Sequence, residues 1–145
     1  MKKEIIDVLV KTKIIRLRQK DLEKTESMIE ISESNVKVAK SIPLNDSSAT
    51  LVFREIYESI RQLGDAKWWL MGYEPSNHEI SLDILKSMDI AEKTKLNFLD
   101  RFKRIRHDAN YRGLKASVSQ AREIIEFWDK CCGEIIKALS KEINS

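Results

Sequence analysis

The sequence holds few of the residues that interrupt helices: four glycines and two prolines in 145 residues. A chain of many short strands needs far more turn residues than that, so the scarcity points to a small number of long helices. No uncharged run approaches the ~20 residues of a bilayer-spanning helix. Met1 is followed by Lys2, Lys3 and Glu4, not by the apolar core of a signal peptide, so neither secretion nor membrane insertion is expected. The two cysteines, Cys131 and Cys132, are adjacent. Neighbouring residues rarely reach disulfide geometry, and reduced thiols in a cytoplasmic protein are the expectation. There is no glycine-rich phosphate loop and no serine-centred nucleophile motif, which leaves nucleotide hydrolysis and serine chemistry without a footing. The two histidines, His78 and His107, stand in no cysteine or carboxylate pattern suited to zinc, and no metal or other cofactor is expected.

What is present suits one compact domain: 42% of the residues are hydrophobic and 34% charged. The net charge of +3 is too small to imply nucleic-acid binding. Its distribution is uneven. Between Asn97 and Lys115, six bases (Arg101, Lys103, Arg104, Arg106, Arg112, Lys115) face two acids (Asp100, Asp108), a local surplus of +4 that leaves −1 for the remainder.

Apolar spacing outlines the elements. From roughly Lys3 to Lys13, β-branched residues blur the period and leave a short helix or an extended arm open. Asp21 is placed to cap a helix reaching Ser41, in which Leu22, Ile29 and Val36 recur every seven residues while Ser32 and Asn35 dilute the stripe. Such a helix belongs at the edge of a bundle, ended by Pro43 and a polar turn over 45–48. From about Ser48 to Met71, Val52, Ile56, Ile60, Leu63 and Leu70 define a central helix, stopped at Gly72. Ser76 and Glu79 have capping-box spacing ahead of a shorter helix. A further helix is predicted from about Ile90 to Asn110 on the line Leu96, Leu99, Phe102, Ile105 and Ala109. Ser117 and Gln120 then open the most regular stripe: Val118, Ala121, Ile125, Trp128, Cys132, Ile135 and Leu139. Its large members contribute roughly 1.5–3 kcal/mol each when buried, enough to anchor the bundle or to form a subunit seam. Trp68, Trp69 and Trp128 read as core or interface anchors. The expected fold is all-α: a single domain, an up-and-down bundle of four to five helices, with residues 1–20 as a peripheral N-terminal segment.

The stretch Leu99 to Gly113 combines buried spacing with dense guanidinium groups at a helix end. Arginine presents a planar fork of donors that fits phosphate oxygens and keeps its charge at any working pH. Arg101, Arg104 and Arg112 are candidates for gripping an RNA backbone, with Asn110 beside them. Cations also favour the negative end of a helix dipole, and Arg104 has pair spacing to both Asp100 and Asp108, so the same cluster suits a solvated helix end.

This stretch resembles the active-site segment of HEPN domains, helical bundles found among prokaryotic RNA-cleaving toxins, in which an arginine and a polar residue precede a histidine by four to six positions. Arg106 and His107 match the start, and four residues beyond Arg106 the histidine's place is taken by Tyr111. A shifted reading, Arg101 and His107 five residues apart, ranks second. The similarity extends over roughly Leu51 to Ile136, including Phe53, Arg54, Tyr57 and Arg61 and the connection with Gly72, Tyr73, Ser76 and His78. The resemblance implies an RNA-binding homodimer with the site at the subunit interface and metal-independent RNA cleavage. It also implies a toxin role with a nucleotidyltransferase-type antitoxin as partner. In that frame Arg106 stabilises phosphorane charge, while Tyr111 and His107 orient the substrate or move the proton. Forming a phenolate at pH 7 costs about 4 kcal/mol, which disfavours Tyr111 as a base while leaving it able to stack on a nucleobase. The competing expectation is a helical dimerisation module that kept the bundle and lost the chemistry.

Overall fold

The computed structural model describes residues 1–145 as an all-α bundle. Helices α1 (Lys3–Lys11), α2 (Leu22–Ser41), α3 (Ala49–Leu70), α4 (His78–Lys86) and α5 (Phe98–Tyr111) precede a last, continuous helix. That helix comprises α6 (Val118–Phe127), a π-helical turn (Trp128–Cys132) and α7 (Gly133–Ile143). Two three-residue strands, β1 (Ile15–Leu17) and β2 (Tyr73–Pro75), pair antiparallel with Arg16 opposite Glu74.

Helix α3 is central, as its spacing predicts: Val52, Phe53, Ile56, Ile60 and Leu63 are all buried, and Gly72 turns the chain out at φ 90°. Phe102 of α5 sets its ring edge-on to Phe53 of α3, with centroids 6.0 Å apart, and to Phe127 of α6 at 5.4 Å. This one side chain therefore ties three helices together and fixes how α5 is rotated. Asp21 caps α2 by accepting from the Lys24 N–H at 2.9 Å. The α2 seam differs from its expected line: Leu22 is exposed, whereas Ser32 is buried and shares its hydroxyl with the Met28 carbonyl and Gln62 Oε1. A serine serves in a helix seam because its hydroxyl is satisfied within the helix.

Three further boundaries move. The α4 cap is Asn77, whose Oδ1 accepts from the Ile80 N–H at 3.0 Å, because Ser76 is occupied in bonding the Ile14 carbonyl at 2.6 Å. The helix expected from Ile90 begins later, as a 3₁₀ turn over Lys93–Asn97 that leads into α5. In the last helix the capping box of Ser117 and Gln120 forms in both directions, but the buried residues are Ala121, Ile124 and Phe127, with Ile125 and Trp128 only half-buried. The π turn accommodates one residue more than an α-turn, so the buried face slips by one position before Cys132, Ile135 and Leu139 resume it. Burial pushes both cysteine thiols up, Cys132 far more, so neither is a reactive thiolate.

The first twenty residues form a satellite core beside the main one: Ile6 and Ile15 pack with Trp68, Ile80 and Ile84. No helix is long and apolar enough to cross a membrane.

Candidate functional site

Helix α5 ends at Gly113, where φ of 67° lets the Leu114 N–H turn back to the Asp108 carbonyl at 3.2 Å beside that of Arg112 at 3.0 Å. The last two turns of α5 carry the candidate residues, and the fold sorts them onto two faces. Arg106 and Tyr111 are five positions apart, about 140° around a helix, and no hydrogen bond joins them. Their side chains project from different sides of α5, Arg106 over Tyr57 and Tyr111 into solvent.

Arg106 turns inward. Its guanidinium lies over the ring of Tyr57 on α3, 5.6 Å from the centroid, half-buried and without a carboxylate within ion-pair distance. The ring beneath is held by the core, stacked on Phe53 at 6.5 Å. Burial pushes the Tyr57 phenol up to about 12 despite the opposing charge of Arg106, so it is neutral and offers its π-face. On the same side of α5, Asn110 has a buried Oδ1 with no donor.

The neighbouring arginine, Arg61, is in the opposite state. It binds Glu58 through Nε and Nη2 and Asp65 through Nη1 at 2.6 Å, and Asp65 accepts from the Ser81 hydroxyl of α4. Glu58 and Asp65 are thereby committed to Arg61, and no carboxylate lies within ion-pair distance of Arg106. Glu79 stands 3.9 Å from Lys103 of α5, and His78 and Arg106 both act electrostatically on Glu58. Tyr57 and Arg106 meet between α3 and α5, with the Glu58–Arg61 pair beside them on α3. His78 is exposed at the first position of α4.

Glu58 yields a pH prediction. Burial alone raises its carboxyl, but the hydrogen bonds and charge of Arg61, with His78 and Arg106 behind them, outweigh that and hold it below its ordinary range. The folded protein therefore binds this proton less tightly than the unfolded chain. The stabilisation is complete above the ordinary glutamate range, about pH 4, and is lost as pH falls through and below it. Glu58→Gln is expected to shrink the drop in melting temperature between neutral and acidic buffer; an unchanged drop would remove Glu58 from the account.

The other face of α5 looks outward. His107 and Tyr111 set their rings 4.9 Å apart, tilted by 43°, and Tyr111 is 72% exposed. Arg104 is exposed with no ion pair, since Asp100 goes to Lys86 at 3.0 Å and the nearest cation to Asp108 is Arg112 at 3.7 Å. Arg101 makes a two-pronged pair with Glu123 of α6, at 3.0 and 3.1 Å, with both side chains largely exposed. No three His, Cys, Asp or Glu side chains converge to hold a metal.

Fold and site define an all-α bundle with one uncommitted, half-buried arginine on an aromatic floor at the end of a basic helix. Compared with protein-family models, curated proteins and solved structures, the chain matches none.

Proposed function

We propose that the protein binds RNA, seating a backbone phosphate on Arg106, and that it acts as a HEPN-type homodimer. The carrying observation is the state of that guanidinium: partly desolvated, resting on Tyr57 and with no carboxylate within ion-pair distance. A cation in that condition interacts more strongly with an anion than a hydrated one does, and its planar fork suits phosphate oxygens. The resemblance of Leu99–Gly113 to the HEPN segment supports RNA as the source of the phosphate and metal-independent endoribonuclease chemistry as the activity to test. In such a cleavage the ribose 2′-hydroxyl attacks phosphorus and the 5′ oxygen leaves. Arg106 would carry the charge developing on the phosphate oxygens, and Tyr111 and His107 would orient the substrate from the outer face of α5. A toxin role with a nucleotidyltransferase-type partner belongs to the same reading.

A second reading, a helical dimerisation module without chemistry, draws on the exposure of Tyr111, Leu51 and Leu114. Fluorescence anisotropy with labelled RNA separates the two. Arg106→Ala is expected to leave the helical circular dichroism intact and weaken RNA binding roughly ten- to hundredfold, the range of a hydrogen bond to a charged group. Tyr57→Phe keeps the aromatic floor and the affinity, whereas Tyr57→Leu loses affinity. Equal RNA binding by wild type and Arg106→Ala would end the proposal.

A further inference from the structure

A hollow of about 200 Å³, lined by neither Arg106 nor Tyr111, lies between the start of α5 and α6. Lys95 of the 3₁₀ turn, Phe98 and Phe102 recur at i, i+3 and i+7 along one side of it. Glu123, Phe127 and Lys130 recur at i, i+4 and i+7 along the other. Its apolar walls are rings. Phe98 lies near parallel to Phe102 at 6.3 Å, and Phe127 stands edge-on to Phe102 at 5.4 Å. Phe102 and Phe127 are buried, but Phe98 is 49% exposed, so much of a ring placed beside the core is left in water. The charges on the rim have partners: Glu123 binds Arg101 at 3.0 Å, Glu126 binds Lys130, and Lys95 stands 3.4 Å from Glu92.

We propose that this hollow is a binding site for a small uncharged aromatic molecule of one or two rings. The site uses none of the residues of the Arg106 reading and does not depend on it. Size sets the upper limit: an apolar cavity of about 150 Å³ suffices for benzene, and this one is somewhat larger. The walls favour a ring, because aromatic groups pack best offset or edge-on against other rings, and three phenyl groups line the space. Charge decides the rest. An ionic ligand would leave water to compete with pairs already formed, a cost that an uncharged ring escapes. A cation, which three phenyl rings would otherwise suit, is opposed by the ammonium groups of Lys95 and Lys130, and an anion by the carboxylates of Glu123 and Glu126. A second copy of this chain is a poor occupant, because Phe98, the exposed ring here, already forms a wall of its own hollow.

The test is calorimetric titration of the full chain with indole, benzoate and benzylammonium as probes. Wild type is expected to bind indole saturably, about tenfold or more tightly than either ion, because only the ions must shed a charge's hydration. Indole should also raise the melting temperature, and the amide NMR shifts it causes should centre on Phe98, Phe102 and Phe127. Phe98→Ala, at a half-exposed side chain, should keep the helical circular dichroism and weaken indole binding roughly tenfold, while Phe98→Tyr, which keeps the ring, retains it. Absence of saturable indole binding by wild type would overturn the site, as would equal affinity for either ion, equal indole binding by Phe98→Ala, or shifts centred elsewhere in the fold. A wild-type dimer that Phe98→Ala turns into a monomer in light scattering would overturn it too, since the hollow would then belong to a subunit seam.

Discussion

Gly64→Ala is expected to destabilise the protein more than alanine at any other glycine. A Cβ at this position of α3 would stand 2.0 Å from the carbonyl oxygen of Ser81 on α4, 2.6 Å from its carbonyl carbon and 2.9 Å from its Cβ. Overpacking against side chains typically costs about 1–3 kcal/mol, because side chains can rotate aside. Here the obstacle is backbone, so α3 and α4 must separate. Separation also breaks the bond from the Ser81 hydroxyl to Asp65 and opens the burial of Leu82 and Leu85. The loss should exceed about 3 kcal/mol, a large part of the 5–15 kcal/mol that holds a domain together. Urea denaturation followed by circular dichroism checks it; a midpoint equal to that of wild type would mean that the helices cross with more room than the structure has.

Trp68→Ala ranks next. Trp68 is fully buried, donates its indole N–H to the Ile80 carbonyl at 3.0 Å and meets the Tyr73 ring edge-on at 6.0 Å. It is the largest member of the satellite core with Ile6, Ile15 and Ile84. Truncating a buried aromatic to alanine costs about 3–5 kcal/mol. Trp68→Phe isolates the hydrogen bond, leaving the Ile80 carbonyl without its donor at about 1–3 kcal/mol. Native-state hydrogen exchange should show lost protection in α4 and in the β1–β2 pair while α2 and α6 keep theirs. A uniform loss over the whole chain would mean that the satellite core is not a separate cooperative unit.

The helices that were legible from spacing are those whose apolar residues recur at steps of three and four within their own sequence. Helix α3, rich in Val, Ile and Leu at steps of three and four, was readable almost to its ends, and the Asp21 cap and the Ser117–Gln120 box are local chemistry that forms wherever the helix starts. Elements that depend on distant partners were not readable. Ser76 looks like a cap until Ile14, 62 residues away, takes its hydroxyl. The stripe of the last helix reads as Ile125 and Trp128 until a π turn advances the buried face onto Ile124 and Phe127. The β1–β2 pair has too few residues to carry a period.

The candidate site divides in the same way. Composition and spacing sufficed to establish an all-α chain, to gather the excess positive charge into the segment around α5, and to end that helix at Gly113, because each of these follows from neighbours a few residues apart. Which guanidinium is free was decided by tertiary packing alone. Glu123 on α6 takes Arg101, the acids of α3 take Arg61, and Tyr57 receives Arg106. Phe102, wedged between Phe53 and Phe127, sets the rotation of α5 that sends Arg106 inward and Tyr111 outward. The physical reason is that ion pairs and ring contacts act over a few ångströms of space, and only the fold determines which residues come within that distance.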